Sequence, residues 1–444
     1  MPHLLSVSHG PRRVEQFAVG DADNTRATQA DVSDEFKRKP FSFRQFHEVL
    51  NAGCRSVQIR PAAPMTLEPS TARPQPWLFR RRQTRSSPEG WMGLLSWLLL
   101  DLTLLYIIAL LLLNIGLHFA PERNVSLAFF LYLPPLVWLL PLGILLPLNL
   151  LLCRTAALLC LFAALLHLWL GCGYRWNPSS RNDSGDVRLK VMTYNRGEQG
   201  RQGMGPFVEA QKPDLIALQE ASLGEETMLP VYFPEYTHIR REGRFLLMSK
   251  FPILEVERVE APFQARMILV GVRSLLDVHG MKVAIYNIHL PTPRKVLMRM
   301  RMGGFLLGLI GLPGTSLAER RHTLEHYWND RVALSEIVAR SVEQEPWPTL
   351  VVGDFNTPSR GLIYKRFCRT LTDSHSARGT GFGFTFPGNS RNPIALFKPW
   401  MRIDYIFADS RWEFLESIAE PNRPSQHRAV AATVAVRTAN SSPR

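Results

Sequence analysis

The sequence predicts a mixed α/β protein region preceded by a block of membrane-crossing helices. Three observations carry that expectation. From Asp186 onward, short strand-like runs alternate with helical ones. From Met92 to Gly171, three apolar runs follow one another almost without charge. Leu350 to Pro358, Leu-Val-Val-Gly-Asp-Phe-Asn-Thr-Pro, reads as a buried strand that stops at Gly353 and delivers Asp354 and Asn356 together.

A chain of 444 residues suggests two or three units, because domains usually run about 100 to 200 residues. Lys and Arg number 52 against 38 Asp and Glu, and the net charge of +14 suits acidic partners such as phosphates, nucleic acid or anionic lipid headgroups. Cys54, Cys153, Cys160, Cys172 and Cys368 have no metal-type spacing and suggest neither a disulfide framework nor a zinc site. Residues 1–90 are rich in Pro, Arg, Ser and Gln and read as mostly disordered, with a short helix around Phe43 to Leu50. Met1 to Gly10 lacks the basic-then-apolar order of a secretory signal, and a true start nearer Met92 is a rival reading of this region.

Residues 91–173 form the expected transmembrane segment. Met92 to Phe119 contains only Asp101 as a charge; Val125 to Leu152 has none but carries Pro134, Pro135, Pro141 and Pro147; Thr155 to Gly171 is shorter. A helix needs roughly 20 apolar residues to cross a hydrocarbon core, and a water-facing bundle would keep a polar face that these runs lack. The prolines imply a kinked or broken second helix, or two re-entrant halves, so two spans stand as an alternative to three. Arg80, Arg81, Arg82 and Arg85 put the start of the first span in the cytoplasm, which with three spans leaves the C-terminal region outside. Arg175, Arg181 and Arg188 argue mildly the other way.

After a linker at 174–186, residues 187–437 are expected to form one catalytic domain, followed by a tail at 438–444. Strands are expected at Val187 to Asn195, Leu215 to Gln219, Phe245 to Met248, Met267 to Val272, Lys282 to Ile288, Thr349 to Val352 and Ile403 to Phe407. Helices are expected at Gly205 to Gln211 and Glu319 to Val342. Many strands end in groups able to handle a phosphate or a metal: Asn195, Glu220, Asn287 with His289, Asp354 with Asn356, Asp404 and, in a loop, His427. Each alone has a plainer reading as a turn residue, a helix-start carboxylate, a satisfied core histidine or an ion-pair partner.

Together they form an ordered series: Thr193-Tyr194-Asn195, Leu218-Gln219-Glu220, Met248 to Ile253, Asn287-Ile288-His289-Leu290, Gly353-Asp354-Phe355-Asn356, Arg402 to Phe407, and Ser425-Gln426-His427-Arg428. The series resembles the endonuclease/exonuclease/phosphatase (DNase I-like) family over about Val187 to Val436. His289 to Arg294, taken with the upstream spans, looks like its membrane-anchored bacterial branch. The resemblance implies a four-layer α/β sandwich, two mixed β-sheets face to face with helices outside. It also implies attack of water on a phosphate ester, assisted by one divalent cation, Mg²⁺ or Mn²⁺, held by Glu220 with support from Asn195. Asp354 would deprotonate the water and Asn356 contact the scissile phosphate. His427 would bond the phosphoryl oxygens with Asp404 fixing its tautomer, and His289 with Asn287 would contact the phosphate or assist the leaving group.

One position departs from the pattern. Where the family usually has Ser-Asp-His, this chain has Ser425-Gln426-His427, which implies weaker metal affinity or a changed ion preference. Arg294, Lys295, Arg299 and Arg301 lead into the apolar run Gly303 to Leu312, which suits either insertion into a membrane interface or packing on the sandwich. The expected function is a membrane-anchored metal-dependent phosphodiesterase on the bacterial inner membrane, its partners a phosphate-ester substrate and the lipid bilayer. A nuclease using the same site, or a catalytically impaired phosphate-binding scaffold, is the alternative; no protein partner is indicated.

Overall fold

The computed structural model describes residues 91–119, 121–177, 187–197, 203–299, 316–388, 399–421 and 425–436. The expectations for residues 1–90 with their basic cluster, for the run Gly303 to Leu312 and for the tail at 438–444 lie outside the described residues.

Among the described residues, three helical segments are long and apolar enough to cross a membrane: Trp91–Phe119, Pro135–Leu152 and Arg154–Gly171. Leu98, Leu105, Leu112, Leu151 and Leu158 are all exposed, an arrangement that suits membrane association. Inside, the Asn149 amide donates to the Thr103 hydroxyl at 2.8 Å, giving a polar pair its partner where water is absent.

The second apolar run is broken, as its prolines imply. A short helix, Val125–Leu131, is capped by the Asn124 side chain; the chain turns at Tyr132, and helix resumes as a 3-10 turn at Pro135–Leu139 followed by the α-helix Leu142–Leu152. The first piece leaves the bundle. Leu117, Ala128, Leu131 and Tyr132 share an apolar cluster with Tyr327, Trp328, Trp400, Met401 and Ile403 of the C-terminal region.

That region is built on two six-stranded mixed sheets. One runs in the order Trp412–Ala419, Val430–Val436, Arg188–Asn195, Leu215–Gln219, Phe245–Ser249, His238–Glu242. The other runs Thr372–Asp373, Asp404–Ala408, Thr349–Asp354, Met281–His289, Arg266–Val278, Ile253–Phe263. Leu189, Val191, Leu215, Leu276, Ile285, Val352 and Ile406 meet between the sheets. The long helix Ser316–Glu343 covers one outer face through Leu334 and Val338, and Phe207, Val208 and Leu229 cover the other. Apolar residues on both faces of Leu215–Gln219 and Thr349–Asp354 therefore find cover on both sides, which makes four layers.

Each sheet holds one parallel pair flanked by antiparallel neighbours. Arg188–Asn195 runs parallel to Leu215–Gln219, and Met281–His289 runs parallel to Thr349–Asp354. Parallel strands end on the same edge, so the polar groups that terminate these four strands are gathered at one end of the sandwich. The sequence pattern missed Ile253–Phe263 because this edge strand alternates Glu and Arg with Val and carries exposed ion pairs such as Arg258 with Glu242.

Candidate active site

Strand register sets the site. His289 pairs with Asp354, and Asp354 with Asp404, so three functional side chains lie in one row across three strands. On the facing sheet, Asn195 pairs with Gln219 and Glu220 follows directly. His427 sits three residues before the strand Val430–Val436, whose first residue pairs with Thr193. Gly353 makes the row possible: it has φ 138°, and a Cβ there would meet the Ile288 carbonyl oxygen at 1.9 Å.

Asp354 is the hub and is buried. Its Oδ2 accepts from the Asn195 amide at 2.8 Å and from the Asn356 amide at 3.2 Å, while its Oδ1 accepts from the Asn356 backbone N–H at 2.8 Å. Asn356 reaches this position with φ 48°, a left-handed conformation that asparagine tolerates better than most residues. Its amide also donates to the Leu290 carbonyl at 2.9 Å. Asn356 thus orients Asp354 first, and a phosphate contact would have to replace its longer bond to that carboxylate.

His427 and Asp404 form a second unit. Nδ1 of His427 lies 3.2 and 3.1 Å from the two Asp404 carboxylate oxygens, which leaves Nε2 facing Asp354 Oδ2 at 3.8 Å. Burial alone would lower the His427 pKa, but Asp404 and then Asp354 outweigh it and raise it to about 9. His289 behaves differently. Burial lowers its pKa and the His427 and Arg244 charges add to that, against the raising influence of Asp354 and Asp404. Burial and the Asp404 charge push the Asp354 carboxyl above the ordinary aspartate value. The site therefore holds one cationic and one neutral imidazole around a carboxylate with enhanced proton affinity.

Glu220 stands at the mouth with φ 54°, one oxygen 3.7 Å from His289 Nε2 and the other 4.0 Å from Arg244. The same His289 nitrogen is 3.7 Å from Asp354. Ligand atoms of Asp354, Asp404 and His427 lie within 4.8 Å of one another. Two carboxylates and an imidazole in that group, with the Glu220 carboxylate on the other side of His289, offer donors that fit a hard divalent cation, whose charge would relieve the repulsion between Asp354 and Asp404. His427 Nδ1 is at hydrogen-bond distance from Asp404, so that carboxylate is already engaged; Glu220 lies outside the close group and could reach such an ion only from the His289 side, while Asn195 acts on Asp354 through its amide.

Asn287 is engaged between the two sheets. Its Oδ1 accepts from Gln219 at 2.7 Å and its amide donates to the Leu218 carbonyl at 3.0 Å, so in this structure the side chain ties the two sheets together and does not face the groups around Asp354. Strand period explains it: Asn287 points the same way as His289 but lies two residues deeper. Sequence reasoning missed Gln219, which also bonds the Thr193 hydroxyl at 3.0 Å, although it stands in the Leu-Gln-Glu motif. It also missed Thr385, whose hydroxyl accepts from the Ile403 and Asp404 backbone N–H groups at 3.2 and 3.3 Å, and no local pattern marks that residue.

Two mixed sheets with carboxylates, amides and imidazoles gathered at the common end of their parallel strands define a metal-dependent hydrolase of phosphate esters. The chain belongs to the Endonuclease/Exonuclease/phosphatase family, whose sequence model matches residues 192–427. Among solved structures, it is similar to an endonuclease/exonuclease/phosphatase from Bacteroides vulgatus, at 14% identity over 57% of this chain and 100% of that one, with a TM-score of 0.42. It is also similar to truncated TDP2 from Caenorhabditis elegans, at 16% identity over 57% of this chain and 100% of that one, with a TM-score of 0.39. No curated protein matches the sequence.

Proposed function

We propose that this protein is a membrane-anchored phosphodiesterase that hydrolyses lipid headgroup phosphodiesters on the extracytoplasmic side. The observation that carries the catalytic part is the coupling of Asp354 to Asn195 and Asn356 on one side and to the His427–Asp404 pair on the other. Asp354, with its raised proton affinity, takes a proton from the attacking water. His427, cationic to about pH 9, donates to a phosphoryl oxygen while Asp404 holds its Nδ1. His289, neutral at pH 7, is positioned to serve the leaving oxygen. Glu220 would hold Mg²⁺ or Mn²⁺, which when bound supplies positive charge to the phosphoryl oxygens, while Asn195 keeps Asp354 in place.

The choice of a lipid substrate is supported by the three apolar helices and by the surface beside Glu220. Leu223, Met228, Val231 and Tyr232 are exposed on and just before the helix Glu225–Tyr232, next to the strand end that carries Glu220. Such side chains suit contact with an acyl-chain boundary and offer little to a polyanionic DNA backbone.

The test uses the full chain in micelles with Mn²⁺ and a chromogenic phosphodiester. Turnover by wild type and a loss of at least roughly 10³-fold in Asp354→Ala are expected; equal rates would refute the enzymatic reading. Assays on phospholipid vesicles and on DNA then separate the substrates, and cleavage of DNA alone would replace the lipid reading with a nuclease. A C-terminal reporter active only outside the cytoplasm checks the orientation.

A further inference from the structure

We infer that Tyr132 and Glu122, which lie between the first two membrane-crossing segments, are positioning residues for the catalytic loop, so that the membrane block supports the active site as well as tethering it. The inference rests on the catalytic reading of Asp354 and Asn356.

The loop from Asn356 to Leu362 is gripped from the side opposite Asp354. The Asn356 carbonyl accepts from the Tyr132 hydroxyl at 2.8 Å and from Arg331 Nη2 at 2.9 Å. Arg331 Nη1 donates to the Tyr132 oxygen at 2.8 Å, which closes a three-membered network. Tyr132 and Arg331 are both buried, and the Tyr132 ring stacks on Trp328 with centroids 5.6 Å apart. One residue further on, Thr357 donates its hydroxyl to Glu122 Oε1 at 3.1 Å, and the Leu362 backbone N–H donates to Glu122 Oε2. Both oxygens of a buried carboxylate are thereby engaged by the catalytic loop.

Gly361 is shaped for this contact. A Cβ there would meet Thr357 Oγ1 at 2.4 Å and Glu122 Oε1 at 2.6 Å, so a side chain at this position would crowd the Thr357–Glu122 contact. Arg360 extends the grip by donating to the backbone and side-chain oxygens of Asn114 at 3.1 and 3.0 Å.

The consequence follows from what Asn356 does. Its left-handed backbone and its two bonds to Asp354 fix the carboxylate that activates water, and its carbonyl is fixed in turn by Tyr132 and Arg331. Loss of the Tyr132 hydroxyl leaves the peptide with one donor, in a group whose position matters to a fraction of an ångström. The effect should appear in the chemical step. Glu122 and Tyr132 are not in the matched family segment, which begins at residue 192.

The experiment compares full-length wild type with Tyr132→Phe, which keeps the ring on Trp328, and with Glu122→Gln. Turnover of a phosphodiester with Mn²⁺ gives kcat and KM, and hydrogen exchange read by mass spectrometry on peptides covering 350–362 reports the loop without requiring activity. The expected result is a fall in kcat of roughly tenfold, about the worth of one buried hydrogen bond, with KM within twofold. Exchange at 354–357 should quicken while the sheets stay protected. A kcat within twofold of wild type in both variants, or unchanged exchange at 354–357, would overturn the inference. Should the wild type itself fail to turn over, the catalytic reading fails and the exchange data alone decide whether the brace exists.

Discussion

His427 holds its Nδ1 3.1 Å from Asp404, while its Nε2 looks across 3.8 Å to Asp354. One imidazole thus joins the two carboxylates that strand register sets side by side, and its proton belongs to the whole arrangement. Because its pKa rises from an ordinary 6.5 to about 9, the stability it contributes is complete below about pH 6.5 and is lost as pH climbs through 9. Thermal unfolding of the metal-free chain should show a decline on the order of 3 kcal/mol across that window.

Asp404→Asn removes the leading partner that raises His427. The basic limb of the kcat profile, expected near pH 9 in the wild type, should move down by more than one pH unit and kcat at pH 8 should fall roughly a hundredfold. A basic limb that stays in place would show that His427 does not act as a cation.

Gly353→Ala tests the crowding between parallel strands. The added methyl would lie 1.9 Å from the Ile288 carbonyl in a backbone conformation that L residues rarely adopt. A loss of at least about 3 kcal/mol is expected, read as a fall of about 8 °C or more in the thermal midpoint, or as failure to fold.

Asn287→Ala separates an inter-sheet tie from a phosphate ligand. It strands Gln219 and the Leu218 carbonyl in the core, and stability should fall by about 1 to 3 kcal/mol. KM for the folded enzyme should stay within twofold; a tenfold rise in KM without loss of stability would return Asn287 to the phosphate.

Gln426 lies half-buried beside His427, its backbone carbonyl accepting from the Gly388 backbone N–H at 2.6 Å. Gln426→Asp adds the carboxylate that the family pattern usually has there. The Mn²⁺ concentration for half-maximal activity should drop roughly fivefold or more, as an added carboxylate strengthens a hard-cation site. An unchanged value would mean that this position has no part in holding the ion.

The sequence by itself determined the parts whose cause is local. The alternation of β-branched runs with polar terminators announced the central strands, the charge-free runs announced the apolar helices, and Pro134 and Pro135 announced the break between them. The ordered motifs also pointed to Glu220, His289, Asp354, Asn356, Asp404 and His427, since a polar residue where a buried strand ends breaks the apolar pattern and is visible locally.

Only the tertiary structure decided what depends on partners far apart in sequence. It decided that Asn287 faces Gln219 across two sheets, because strand period fixes a side chain's direction but not its depth. It also decided the fate of Tyr132, which an apolar run assigns to the membrane and the fold delivers to Asn356, 224 residues away. Hydrophobicity records only a preference for leaving water. A bilayer and a protein interior both satisfy it, and the choice between them rests on contacts with Trp328 and Arg331 that no local pattern encodes.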